Sequence, residues 1–126
     1  MTASSTPTVP DTDGPVTVIN TMSVPTAQRD LFLRHWRDNA QYMAAAPGFR
    51  RSQMFQAAGE FAEALFVNVG DWDSGTALRS ALATPQWHQL NQRILNDLEL
   101  TARPMIFRLA IDVAPGDVLS PAATDR

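Results

Sequence analysis

Residues 65–72 read LFVNVGDW, a strand-length run that is largely apolar on both of its faces. Alternation puts Phe66, Asn68, Gly70 and Trp72 on one face and Leu65, Val67, Val69 and Asp71 on the other. A strand of this kind has to be covered on both sides, so the sheet that contains it needs two covering layers. Asn68 breaks the apolar pattern and shares its face with Trp72. An earlier run, VTVINTMSV at 16–24, repeats the oddity: Val16, Val18, Asn20, Met22 and Val24 share a face, and Asn20 is the only amide on it.

Residues 16–24 are expected to form a first strand. Thr26 is a plausible N-cap for a helix running to about Ala45, in which Phe32, Trp36, Asn39/Ala40 and Met43 recur at helical spacing. Pro47 and Gly48 then stop it. Runs at 49–56 and 64–72, joined through Gly59, read as an antiparallel pair. Asp73 or Ser74 can cap a short helix carrying Leu78 and Leu82, and Thr84 followed by Pro85 starts another that reaches about Leu98. A last strand, MIFRLAIDV at 105–113, puts Met105, Phe107, Leu109 and Ile111 on one face.

The order β-α-β-β-α-(α)-β predicts an α+β chain with a ferredoxin-like four-stranded antiparallel sheet and its helices on one face. The domain spans 16–113, between flexible tails at 1–15 and 114–126 that have too few large apolar groups to offset their ordering entropy. Helices leave the second face of the sheet bare. A second copy packed sheet to sheet is the economical cover, which predicts a homodimer.

The 126 residues suffice for one core. A net charge of −3 with scattered arginines argues against a nucleic-acid surface. All ten basic residues are arginine, a bias attributed to GC-rich coding. The lack of cysteine excludes disulfides, thiolate nucleophiles and thiolate-bound zinc. The N-terminus lacks the pattern of a signal peptide, and no apolar run approaches the roughly 20 residues of a membrane span. The expectation is a cytoplasmic protein without membrane partners.

The Asn on the first strand, the FVNVGDW run on the third, DSGTALRSAL and ATPQWHQL after it, and Pro-Gly-Phe after the first helix together resemble the antibiotic biosynthesis monooxygenase family over residues 16–112. The resemblance implies a dimeric α+β barrel. It is closest to the anthrone-oxidising branch, small dimeric enzymes of aromatic polyketide pathways that use O2 without flavin, haem or metal. In that branch two Asn and a Trp line the substrate cavity, at the positions of Asn20, Asn68 and Trp72. These three are the expected catalytic residues, with Phe32, Trp36, Met43, Phe66 and His88 as expected substrate contacts. Haem-degrading members carry an iron-ligating His after the Trp, where this chain has Ala81 and Leu82. No bound metal is expected.

The implied chemistry suits these residues. An anthrone-type CH2 loses a proton to give an enolate electron-rich enough to reduce O2, so the protein supplies binding, desolvation and orientation. An amide NH2 can stabilise an oxyanion without bringing a charge into an apolar pocket, and one aimed donor is worth about 3 kcal/mol in a dry site. The indole of Trp72 adds an N–H and a broad apolar surface. No base is evident among His35, His88 and Tyr42. Two other functions fit the same residues, a non-catalytic polyketide-binding or scaffold protein and a polyketide cyclase acting by proton transfer, for which the same cavity and amide donors would serve; a buried Asn can also simply satisfy backbone or a water.

Overall fold

The computed structural model describes residues 13–121 together with Val9. Strand β1 (Val16–Pro25) leads through a 3₁₀ turn at Thr26–Gln28 into helix α1 (Arg29–Ala44). Strands β2 (Phe49–Gln56) and β3 (Glu63–Trp72) follow, then α2 (Gly75–Leu82), α3 (Pro85–Asp97) and β4 (Thr101–Phe107). The four strands form one sheet in the order β2-β3-β1-β4, with every neighbouring pair antiparallel. This is the ferredoxin-like arrangement, with α2 and α3 together in the place of the second helix.

Register decides which side chains face the helices. Val16, Val18, Asn20, Met22 and Val24 of β1 lie opposite Trp72, Gly70, Asn68, Phe66 and Ala64 of β3, and most of these are buried. On that face Phe32 of α1 stacks on Phe66 with ring centroids 4.8 Å apart, and Ile94 and Leu98 join the same apolar cluster. A second cluster joins Val16 and Trp72 to Leu78, Ala81 and Leu82 of α2. Val9, within the stretch expected to be a flexible tail, is buried in this second cluster, and its carbonyl accepts from Arg79 Nη2 at 2.8 Å. Most of the two expected tails, 1–8, 10–12 and 122–126, lies outside the described residues.

Local chemistry explains the helix boundaries. Ser74 is the cap of α2, accepting from the Ala77 N–H at 3.0 Å, and Thr84 caps α3 from the Trp87 N–H at 3.1 Å, with Pro85 in the first turn. Thr26 is not a cap: its hydroxyl donates to the Ala62 carbonyl at 3.3 Å, and the chain passes through the 3₁₀ turn before α1 begins. Gly48, at φ 85°, reverses the chain after α1, and a Cβ there would lie 2.5 Å from the Ala77 side chain. Only glycine meets both demands.

The last strand differs from the expected 105–113. It begins at Thr101, because Pro104 sits on an edge strand where its missing N–H breaks no ladder. It ends at Phe107, and residues 108–113 pair with no strand among the described residues. Leu109 and Ile111 are accordingly 76% and 72% exposed.

Candidate active site

A cavity lies between the inward face of the sheet and the three helices, bounded by residues of both apolar clusters. The space open to the centre of a water molecule is about 100 Å³. That is room for several waters.

The sheet supplies most of the polar groups. Asn20 and Asn68 face each other across the β1–β3 ladder, and both line the cavity. Asn68 is buried, and its Oδ1 accepts from Ser52 Oγ at 2.7 Å. Its Nδ2 lies 3.6 Å from the position a Cβ would take on Gly70, while Trp72 Nε1 lies 3.9 Å from that same position. Two N–H-bearing atoms, with the Arg51 carbonyl oxygen also 3.9 Å away, thus border the space that glycine leaves empty. Phe49 packs edge-on against Trp72, with rings 5.4 Å apart at 79°, and fixes the indole plane.

The helices supply the opposite wall. Trp36, Asn39 and Met43 line it from α1, and Trp87 and Asn91 from α3. All three tryptophans of the chain therefore border the cavity. No Asp, Glu, His, Arg or Tyr side chain lines it among the described residues. The interior offers amides, one hydroxyl and indole N–H groups, and has no acid or base of its own.

Of the expected substrate contacts, Trp36 and Met43 line the cavity. Phe32 and Phe66 do not: they sit in the core behind the wall, where Phe32 also backs Trp36 with centroids 6.0 Å apart. His88 is exposed. It follows Trp87 on α3, and the turn of about 100° per helical residue carries it away from the cavity that Trp87 faces.

The other two base candidates are engaged elsewhere. His35 Nε2 lies 2.8 Å from Asp97 Oδ2, and its Nδ1 faces Arg93 Nη2 at 3.1 Å, so the ring ties α1 to α3 away from the cavity. The arginine can only donate, which makes Nδ1 the acceptor and leaves no free lone pair on the ring. Tyr42 contacts the Ala81 carbonyl and Thr84 Oγ1.

Sequence reasoning missed Ser52, Asn39, Trp87 and Asn91 as cavity residues. Asn39 could have been found, since it lies three residues after Trp36 and four before Met43 on one helical stripe. Trp87 and Asn91 are likewise one turn apart. Ser52 could not, because an irregularity between Phe49 and Arg51 shifts the β2–β3 register that brings it to Asn68.

The profile of the antibiotic biosynthesis monooxygenase family matches residues 15–93. The chain belongs to this family. Among solved structures, this antibiotic biosynthesis monooxygenase family member is similar to SnoaB, a cofactor-independent oxygenase from Streptomyces nogalater. The identity is 26%, the match covers 81% of this chain and 98% of that one, and the TM-score is 0.68. An asparagine-to-alanine mutant of SnoaB aligns at 24% identity over 80% and 97% of the two chains, with a TM-score of 0.67. A Mycobacterium tuberculosis protein shares the fold at 16% identity, over 80% of this chain and all 100% of that one, with a TM-score of 0.66. No curated protein matches in sequence. Among the described residues of this family member, no group of three His, Cys, Asp or Glu could hold a metal ion. None of its described helices is long and apolar enough to cross a membrane.

Proposed function

We propose that this protein is a cofactor-independent monooxygenase that oxidises a polycyclic aromatic polyketide intermediate of the anthrone type to its quinone with O2. The observation that carries the reading is the placing of Asn68 Nδ2 and Trp72 Nε1 beside Gly70, in a cavity lined by no titratable side chain among the described residues. Such a site cannot remove a proton by itself. It suits a substrate acidic enough to ionise once its oxyanion is held by neutral donors.

The steps balance without an added reductant. The anthrone CH2 loses a proton, and the enolate passes one electron to O2. The carbon radical and superoxide then combine, forming the C–O bond, and proton uptake gives the hydroperoxide. Loss of the remaining C–H proton with cleavage of the O–O bond releases water and leaves the quinone carbonyl. Asn20 and Asn68 hold the enolate oxygen or the incipient peroxide, and the Trp72 N–H is aimed at the oxygen species over Gly70. Trp36 and Met43 form the apolar wall that orients the rings and excludes water.

The same reading takes the protein as a homodimer joined through the bare face of the sheet. Register puts Ile19, Val67, Phe55, Met105 and Phe107 on that face, and Phe55 and Met105 are 52% and 59% exposed. A second copy would cover this patch, together with the unpaired run that carries Leu109 and Ile111.

Oxygen uptake tests the function. Protein with chelator and no flavin, given anthrone in aerated buffer, is expected to consume O2 and form anthraquinone well above the buffer rate, and to form none anaerobically. Saturable binding without turnover would favour a binding protein. Conversion that proceeds without oxygen would favour a cyclase.

A further inference from the structure

Two polar atoms belonging to cavity-lining residues are buried with no hydrogen-bond partner, Oδ1 of Asn20 and Nδ2 of Asn39. One is an acceptor and the other a donor. They come from facing elements, the inward face of β1 and the cavity side of α1, yet they do not bond to each other. Asn39 is only 2% exposed and sits within regular helix. Leucine, of similar size and better helix propensity, would fill that space without leaving a donor unpaired. Unpaired buried groups are uncommon in native proteins and call for a partner in some functional state.

We infer that Asn39 is a substrate-binding residue that, with Asn20, selects aromatic substrates bearing a phenolic hydroxyl at the ring edge. The phenol oxygen accepts from Asn39 Nδ2, and a phenol hydrogen goes to Asn20 Oδ1. A hydroxyl is the group that offers both an acceptor and a donor. An unsubstituted ring leaves Asn20 Oδ1 and Asn39 Nδ2 unpaired, and a site built around such groups discriminates strongly against ligands that lack a partner for them. The choice of ring system rests on the oxygenase reading, whereas the pairing of the two orphan atoms does not.

The test is equilibrium binding without oxygen, read by quenching of the three cavity tryptophans, so that turnover plays no part. The probes are anthrone and a hydroxyanthrone whose hydroxyl lies away from the carbonyl, so that its hydrogen is not taken up by the carbonyl oxygen. Wild type is expected to bind the hydroxylated compound at least about tenfold more tightly. Asn39→Leu should bring that ratio below about twofold, chiefly by weakening binding of the hydroxylated probe, and melt no lower than wild type. Asn39→Ala provides the same readout should the leucine disturb packing. Equal binding of the two probes by wild type overturns the proposal and leaves the oxygenase reading standing. An unchanged preference in the Asn39 variants also overturns it. Binding of neither probe by wild type would remove both readings.

Discussion

Ser52 Oγ donates to Asn68 Oδ1 across 2.7 Å, and this bond sets which end of the amide faces Gly70. Without it the amide can turn its oxygen toward the cavity. Ser52→Ala is expected to lower kcat about fivefold to tenfold, consistent with losing one neutral hydrogen bond, with little change in Tm. Asn68→Ala removes the donor itself and should cost about ten- to a thousandfold. Steady-state kinetics alongside thermal melting separate the two roles. An Asn68→Ala protein that turns over normally and melts much lower would make the amide structural.

Gly70 keeps open the space that the two donors border. An added methyl would lie 3.6 Å from Asn68 Nδ2 and 3.9 Å from Trp72 Nε1, ordinary contact distances, so Gly70→Ala should fold normally. It should nonetheless lose at least about tenfold in kcat if, as proposed, the reacting oxygen sits where the methyl would lie. Trp72→Phe keeps most of the ring surface and deletes the N–H, so a matching loss at unchanged substrate affinity is expected. Near wild-type kcat in both variants would show that no oxygen species binds there.

The pH profile should belong to the substrate. With no titratable side chain lining the cavity among the described residues, kcat/KM is expected to rise as the anthrone itself ionises. The inflection should then move between two anthrones of different acidity. His88→Ala should cost less than about tenfold, since that ring is exposed and points away from the cavity. An inflection that stays fixed when the substrate is changed would reveal a protein base.

Light scattering addresses the sheet face. The wild-type protein is expected to be a dimer at micromolar concentration. Met105→Arg, which puts a charge on the β4 side of the exposed patch, should give monomer with the β-sheet content intact. A monomeric wild type would require another cover for Phe55, Met105 and Phe107.

Much of this architecture was legible because local signals agreed with one another. The period-two faces of β1 and β3 placed Asn20, Asn68 and Trp72 on one side of the sheet, and Thr84-Pro85 marked the start of α3. Non-local pairing was harder to read. The expected last strand begins after Pro104, and the proline's edge position explains why β4 runs through it. Leu109 and Ile111 have strand-like alternation but no neighbour to pair with, a fact of topology that periodicity does not report. The partner of Asn68 depended on an irregular register in β2. The solvent-facing side of His88 follows from the phase of α3, which Trp87 and Ile94 set by packing.

Isotope-labelled oxygen tests the central claim most directly. Chelator-treated, flavin-free protein turning over an anthrone under ¹⁸O2 should yield a quinone carrying one labelled oxygen at the former CH2 carbon, with one O2 consumed per quinone, and Asn68→Ala should form that product far more slowly. Mass spectrometry of a rapidly quenched reaction reads the label before it exchanges with water. Label absent from the new carbonyl, or a rate no higher than buffer alone, would contradict oxygenation in this cavity.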